Sequence, residues 1–96
     1  MNRKECLAKA AEIVSGERED TYGGPEDSFT TIAQYWTAHL SGRLKDVLNA
    51  KDVAIMMAGL KLARLQSNAT HTDSMVDCAG YMACLAEIAT PAQCDD

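Results

Sequence analysis

A chain of 96 residues has room for one domain and no second one, and with aromatics at only 5% much of its 47% hydrophobic content is Ala, Met and Cys. The formal net charge of −5 disfavours binding to long nucleic acids, and the lack of any Lys or Arg after Arg64 confines any anion site to cations in the first two thirds of the chain. Residues 1–14 carry basic side chains but no uninterrupted apolar run, which excludes a signal peptide or membrane span there.

Small side chains let helices approach closely but bury little area each, at about 25 cal/mol per Å² of apolar surface. A monomer of this size is marginal, and burial between subunits is the ready remedy, so a homo-oligomer is expected. Cys6, Cys78, Cys84 and Cys94 form no CxxC pair and have only two histidines to join them. They are expected as reduced, buried thiols of a cytosolic protein rather than as zinc ligands.

The first helix is expected from about Asn2 to near Ser15. Leu7, Ala10, Ala11 and Val14 fall at helical spacing, and Cys6 and Ile13 widen the stripe. The polar segment GEREDTYGGPEDS, residues 16–28, follows and is punctuated as a turn by Gly23, Gly24 and Pro25. Pro25 suits a first helical position, with Glu26 and Asp27 favourable to the helix dipole. Phe29, Ile32, Ala33, Trp36 and Leu40 then make an amphipathic stripe, and Ser41-Gly42 ends the second helix. Residues 43–48 are a connection whose Leu44, Val47 and Leu48 are expected to pack.

Asn49, with Asp52 three residues on, resembles a capping box with Asp in place of Glu or Gln. The third helix covers about Ala50 to Gln66. Val53, Met56, Met57, Leu60 and Ala63 form its expected main stripe, with Ile55, Leu62 and Leu65 broadening it enough for burial on more than one side. QSNATHT is a loop. Thr70 and Asp73 repeat the capping arrangement before a fourth helix that runs to about Thr90, where Pro91 stops it. The tail 91–96 is expected to be loosely ordered. Four helices with short links read as an all-α, four-helix bundle in a single domain, 1–96.

Three groups of residues could carry chemistry. Asp73, Asp77 and Tyr81 are spaced by four on one face of the last helix, beside Gly80. They are either a cap, a solvated acid and a packing ring, or a divalent metal site, or acceptors for ribose hydroxyls and base amino groups. Lys61 and Arg64, three apart, are the only charges from Val53 to Thr72. They read as a solvated face, a salt bridge to Asp77, or a phosphate or carboxylate clamp. Arg18 and Tyr22 put a cation and a ring on a Gly-flexible loop, suited to gripping phosphate and stacking on a base, or to closing over the core. Trp36 reads as core, His71 as a bystander in its loop, and no Ser–His–acid pairing is legible.

Together the strings EREDTYGGPEDSFTTIAQYW, KDVAIMMAGLKLARL and DSMVDCAGYMACL resemble a family of small phage and prophage proteins without a settled activity, over about residues 12–89. The chain is more distantly similar to the all-α NTP pyrophosphohydrolases, MazG-like and dUTPase-like, which are helical oligomers. The resemblance implies site positions at Arg18, Tyr22, Lys61, Arg64, Asp73 and Asp77. Those hydrolases hold Mg²⁺ with an E-x-x-E motif and a later E-x-x-D motif on neighbouring helices. Here Ser74 stands three residues before Asp77, and no acid follows Val53 in the third helix.

The expectation is therefore a binder rather than an enzyme, without a cofactor. It would be a phage-type sponge in the cytoplasm of an infected bacterial host, sequestering a small nucleotide-derived ligand such as an immune signal. The alternatives are a Mg²⁺-dependent pyrophosphohydrolase with Asp73 and Asp77 as metal ligands, and a protein–protein interaction module with no small ligand. Neither a membrane nor a long nucleic acid is expected as a partner.

Overall fold

The computed structural model describes residues 1–16 and 24–90, and among them it is all-helical. The helices are α1 (Arg3–Val14), α2 (Pro25–His39), α3 (Ala50–Ser67) and α4 (Thr72–Ala89). The expected loop residues 17–23 and the tail 91–96 lie outside the described residues.

Local chemistry explains each start. Asn2 caps α1 in a reciprocal box: its side chain accepts from the Glu5 amide at 2.8 Å, and the Glu5 carboxylate accepts from the Asn2 amide at 2.8 Å. Pro25 opens α2 behind Gly24, with Glu26 and Asp27 in the first turn, as its composition predicts. Leu40 caps the end of α2, and Gly42 takes φ +88°, a left-handed conformation strained for any side chain. The Asn49 and Asp52 box closes at 3.0 Å in both directions, so Asp performs the role usually given to Glu.

The start of α4 differs from expectation. Its cap is His71, not Thr70, whose hydroxyl donates instead to Asn68 Oδ1 at 3.1 Å within the loop turn. His71 Nδ1 accepts from the Ser74 amide at 3.3 Å and lies 2.7 Å from Ser74 Oγ. In the tautomer with no proton on Nδ1 the Ser74 hydroxyl donates to it and the amide shares the same lone pair. Far from being a bystander, His71 satisfies a donor that the helix cannot. We expect His71→Ala to cost about 1 kcal/mol and His71→Asn to restore most of it, as read by urea unfolding. Equal stability of both variants and wild type would show that the cap is idle.

The α3–α4 hairpin is the spine of this helical bundle. α2 packs on α3 and touches α4, while α1 packs on α4. Phe29 and Ala33 of α2 meet Ala50, Val53 and Ala54 of α3 in the core, joined by half-buried Ile32, Trp36, Leu48 and Leu85. On the other flank Ala10 is buried, and a Cβ on Gly80 would lie 3.1 Å from Val14 Cγ1, so the absent side chain is what lets α1 settle on α4.

The expected stripe of α2 is the observed one, with Phe29 and Ala33 buried and Ile32, Trp36 and Leu40 half-buried. That of α3 is rotated. Ala50, Val53, Ala54 and Ala58 face inward, and Met56, Leu60, Ala63, Ile55 and Leu62 face outward. Close approach of α3 to α4 requires small residues at the contact, which selects alanines over methionines. In α1 likewise Ala10, Ile13 and Val14 turn inward, and Leu7 is exposed. Of the connection, Leu44 and Leu48 are half-buried and Val47 is exposed.

Candidate functional site

In α3 the residues Ala54, Ala58, Lys61 and Leu65 recur at intervals of four, three and four, so Lys61 falls on the inward arc rather than on a solvated face. Its stem lies along the helix seam and its ammonium reaches Asp77 of α4, with Nζ 3.1 Å from Oδ2. The Lys61 side chain is 12% exposed and that of Asp77 34%. The pair is therefore nearly buried on the lysine side and open to water on the carboxylate side.

The neighbouring candidates grade from solvent to core. Arg64, one turn beyond Lys61, is exposed, and so is Asp73 in the first turn of α4. Asp73 does not make the cap expected of it with Thr70. Tyr81, one turn after Asp77, is half-buried with its ring 6.0 Å from that of Phe29 and tilted 41° to it. Its packing role is thus observed, and the acids at 73 and 77 lie toward the open end of the same stripe. Arg18 and Tyr22 lie outside the described residues. The described residues on either side of them are placed, however: Val14 meets α4 at Gly80, and Phe29 meets it at Tyr81.

The contact between His71 and Ser74 was not legible as a pair. At 2.7 Å it has the separation of a nucleophile and its base, but Ser74 is 1% exposed, so its hydroxyl is closed to solvent. It is a cap with a buried hydroxyl, and a histidine preceding a Ser three residues on was its signal. Among the described residues no three His, Cys, Asp or Glu side chains converge as a metal site, and no helix is long and apolar enough to cross a membrane.

A separate groove of about 500 Å³ opens between α2 and the connection into α3, lined by Thr30, Gln34, Thr37, Leu48 and Asn49 among others. The Leu48 amide donates to Thr37 Oγ1 there at 3.0 Å. No charged side chain lines it and none of the candidate residues does. It offers an anionic ligand nothing that the Lys61 seam does not offer better.

Comparison with known proteins places these residues in a phage context. The chain is 38% identical over 85 residues to the Gene 55 protein of Mycobacterium phage L5, covering 88% of this chain and 53% of that protein. It is 35% identical over 82 residues to the Gene 55 protein of Mycobacterium phage D29, covering 85% of this chain and 52% of that one. The chain thus spans about half the length of these relatives. No solved structure matches it at a significant level. The family model described as Domain of unknown function (DUF6378) matches residues 5–89, and the chain belongs to that family.

Proposed function

We propose that the Lys61–Asp77 seam is the centre of a binding site for a small nucleotide-type anion, and that the protein sequesters this ligand without hydrolysing it. One observation carries the reading: a lysine 12% exposed that among the described residues pairs with one carboxylate, in a helix with no charge between Val53 and Leu60. A partly buried pair of this kind adds little stability over apolar side chains of the same volume, so structure alone gives it small reason to exist. Exposed Arg64 supplies the bidentate phosphate donor, with Lys61 behind it, and Arg18 is the third cation that the sequence assigns. Asp73 and Asp77 accept from ribose or base donors, Tyr22 stacks on the base, and Tyr81 closes the floor. Sequestration is favoured over turnover because α3 carries no acid beyond Asp52, so that two helices cannot share a metal-holding carboxylate cage around Lys61. The working form is a homo-oligomer.

A thermal-shift screen of the purified chain against mono-, di- and cyclic nucleotides and ADP-ribose derivatives tests this, with and without Mg²⁺. A ligand present at about 100 times its dissociation constant adds about 2.7 kcal/mol, easily seen in a chain of this size. The expected result is a hit that does not need Mg²⁺ and that Arg64→Ala weakens at least about tenfold, the worth of one charge-assisted hydrogen bond at about 1.4 kcal/mol. No hit in the panel would leave the interaction-module reading in its place.

A further inference from the structure

From Val53 to Leu60 every residue of α3 is apolar or Gly, so the helix has no polar side over two turns. A helix of that kind is ordinarily covered all round. Among the described residues the arc toward α2 and α4 is the one covered, and Ile55 and Leu62 stand 54% and 58% exposed. They fall three before and four after Ala58, which meets α4 where its carbonyl faces Cys78 Sγ at 4.0 Å. On α4, Met75 and Met82 stand in the same relation to Cys78, three before and four after, and are 37% and 41% exposed. The two helices thus present parallel apolar rails on either side of one seam. Ile55, Gly59 and Leu62 follow a four-three spacing on α3, and Met75, Ala79, Met82 and Ala86 a four-three-four spacing on α4. That is the pattern of helices that pack against further helices. In the middle of the first rail is Gly59, where a Cβ would meet nothing within 4 Å. A mid-helix glycine costs about 1 kcal/mol relative to Ala, and no neighbour among the described residues requires it.

We propose that this face of the α3–α4 hairpin is the dimer interface, occupied by the same face of a second copy. The proposal rests on the homo-oligomer reading above and is independent of the ligand. Symmetry favours this occupant, because an isologous contact sets each patch against itself, and rails without charge from Ile55 to Leu62 and from Met75 to Ala86 are complementary to themselves. Size agrees. Two 18-residue helices about 27 Å long and about 9 Å apart present a face of roughly 27 by 20 Å. That is of the order needed to bury about 800 Å² per partner, the usual extent of a stable interface. The resulting core is a four-helix layer, with α3 and α4 from each copy and Gly59 admitting the close approach.

Sedimentation velocity of the 96-residue chain between about 1 and 100 µM tests it, together with Leu62→Glu, Met82→Glu and the off-face control Leu7→Glu. Expected is a species of twice the 10.4 kDa chain mass that both face variants shift to monomer by at least tenfold in dissociation constant, the control being unaffected. A melting temperature that rises with wild-type concentration supports the same conclusion without any variant. An oligomer indifferent to both face variants would overturn the surface and leave the oligomer standing. A monomer throughout, with a concentration-independent melting temperature, would overturn both and assign the face to another chain.

Discussion

Phe29→Ala is expected to lower the unfolding free energy by about 3–4 kcal/mol, the ordinary cost of emptying a core phenylalanine site. Phe29 is 9% exposed and, among the described residues, is the one large ring that is buried, the other buried residues being alanines and valines apart from Ser74 and Gly80. Its ring meets Tyr81 and its helix face meets Ala50, Val53 and Ala54, so it ties α2 to both arms of the hairpin. The alanines around it cannot collapse into the space, because they have no side-chain length to move. At about 4 °C or more per kcal/mol in a domain of this size, the midpoint should fall by at least about 12 °C. Phe29→Leu should lose about a third as much. Thermal and urea unfolding followed by circular dichroism give both values. A loss under about 1 kcal/mol for the alanine variant would place the core elsewhere.

The second large effect is an asymmetry. Asp77→Asn should cost about 1–2 kcal/mol, whereas Lys61→Met should be close to neutral. Removing the acid strands an ammonium whose side chain is 12% exposed, and the Asn oxygen replaces only part of the interaction. Removing the lysine instead leaves a carboxylate 34% exposed, which water can solvate, and the methionine refills the seam at nearly constant volume. The range lies below the 3–5 kcal/mol of a fully buried broken pair because the acid side is open. The double variant should return close to wild type. Chemical unfolding of the four proteins as a cycle measures the coupling. Equal costs for the two single variants would contradict the burial difference on which the site is argued. Lys61→Met also separates roles: it should keep the fold while losing at least tenfold in affinity for the ligand found in the thermal-shift screen.

What the sequence reveals depends on contrast between helix faces. In α2 the polar residues Thr30, Thr31 and Gln34 bracket Phe29, Ala33 and Trp36, so the period also fixes the phase, and the core residues can be named in advance. In α3 the run VAIMMAGL has no polar residue to mark an outer side. Its period shows a helix but no direction, and preference for bulk selects Met56 and Leu60 where close packing selects Ala54 and Ala58. The same bias puts Leu7 in the core of α1. The capping box at Asn49 is legible although Asp stands for Glu, because backbone geometry asks only for an acceptor three residues on. The His71 cap is hidden because an imidazole acceptor depends on which ring nitrogen holds the proton. At the site, the ion pair between Lys61 and Asp77 is among the readings that the sequence allows. Only the fold shows that the lysine is the buried member. Arg18 and Tyr22 remain assigned by sequence.

The most direct test of sequestration is to load the protein with the nucleotide that stabilises it, incubate with Mg²⁺, denature, and chromatograph what is released. Recovery of the intact nucleotide in stoichiometric amount, from wild type and not from Lys61→Met, is the predicted result. Release of a shortened nucleotide with pyrophosphate, dependent on Mg²⁺ and lost in Asp77→Asn, would contradict it and make the protein a hydrolase.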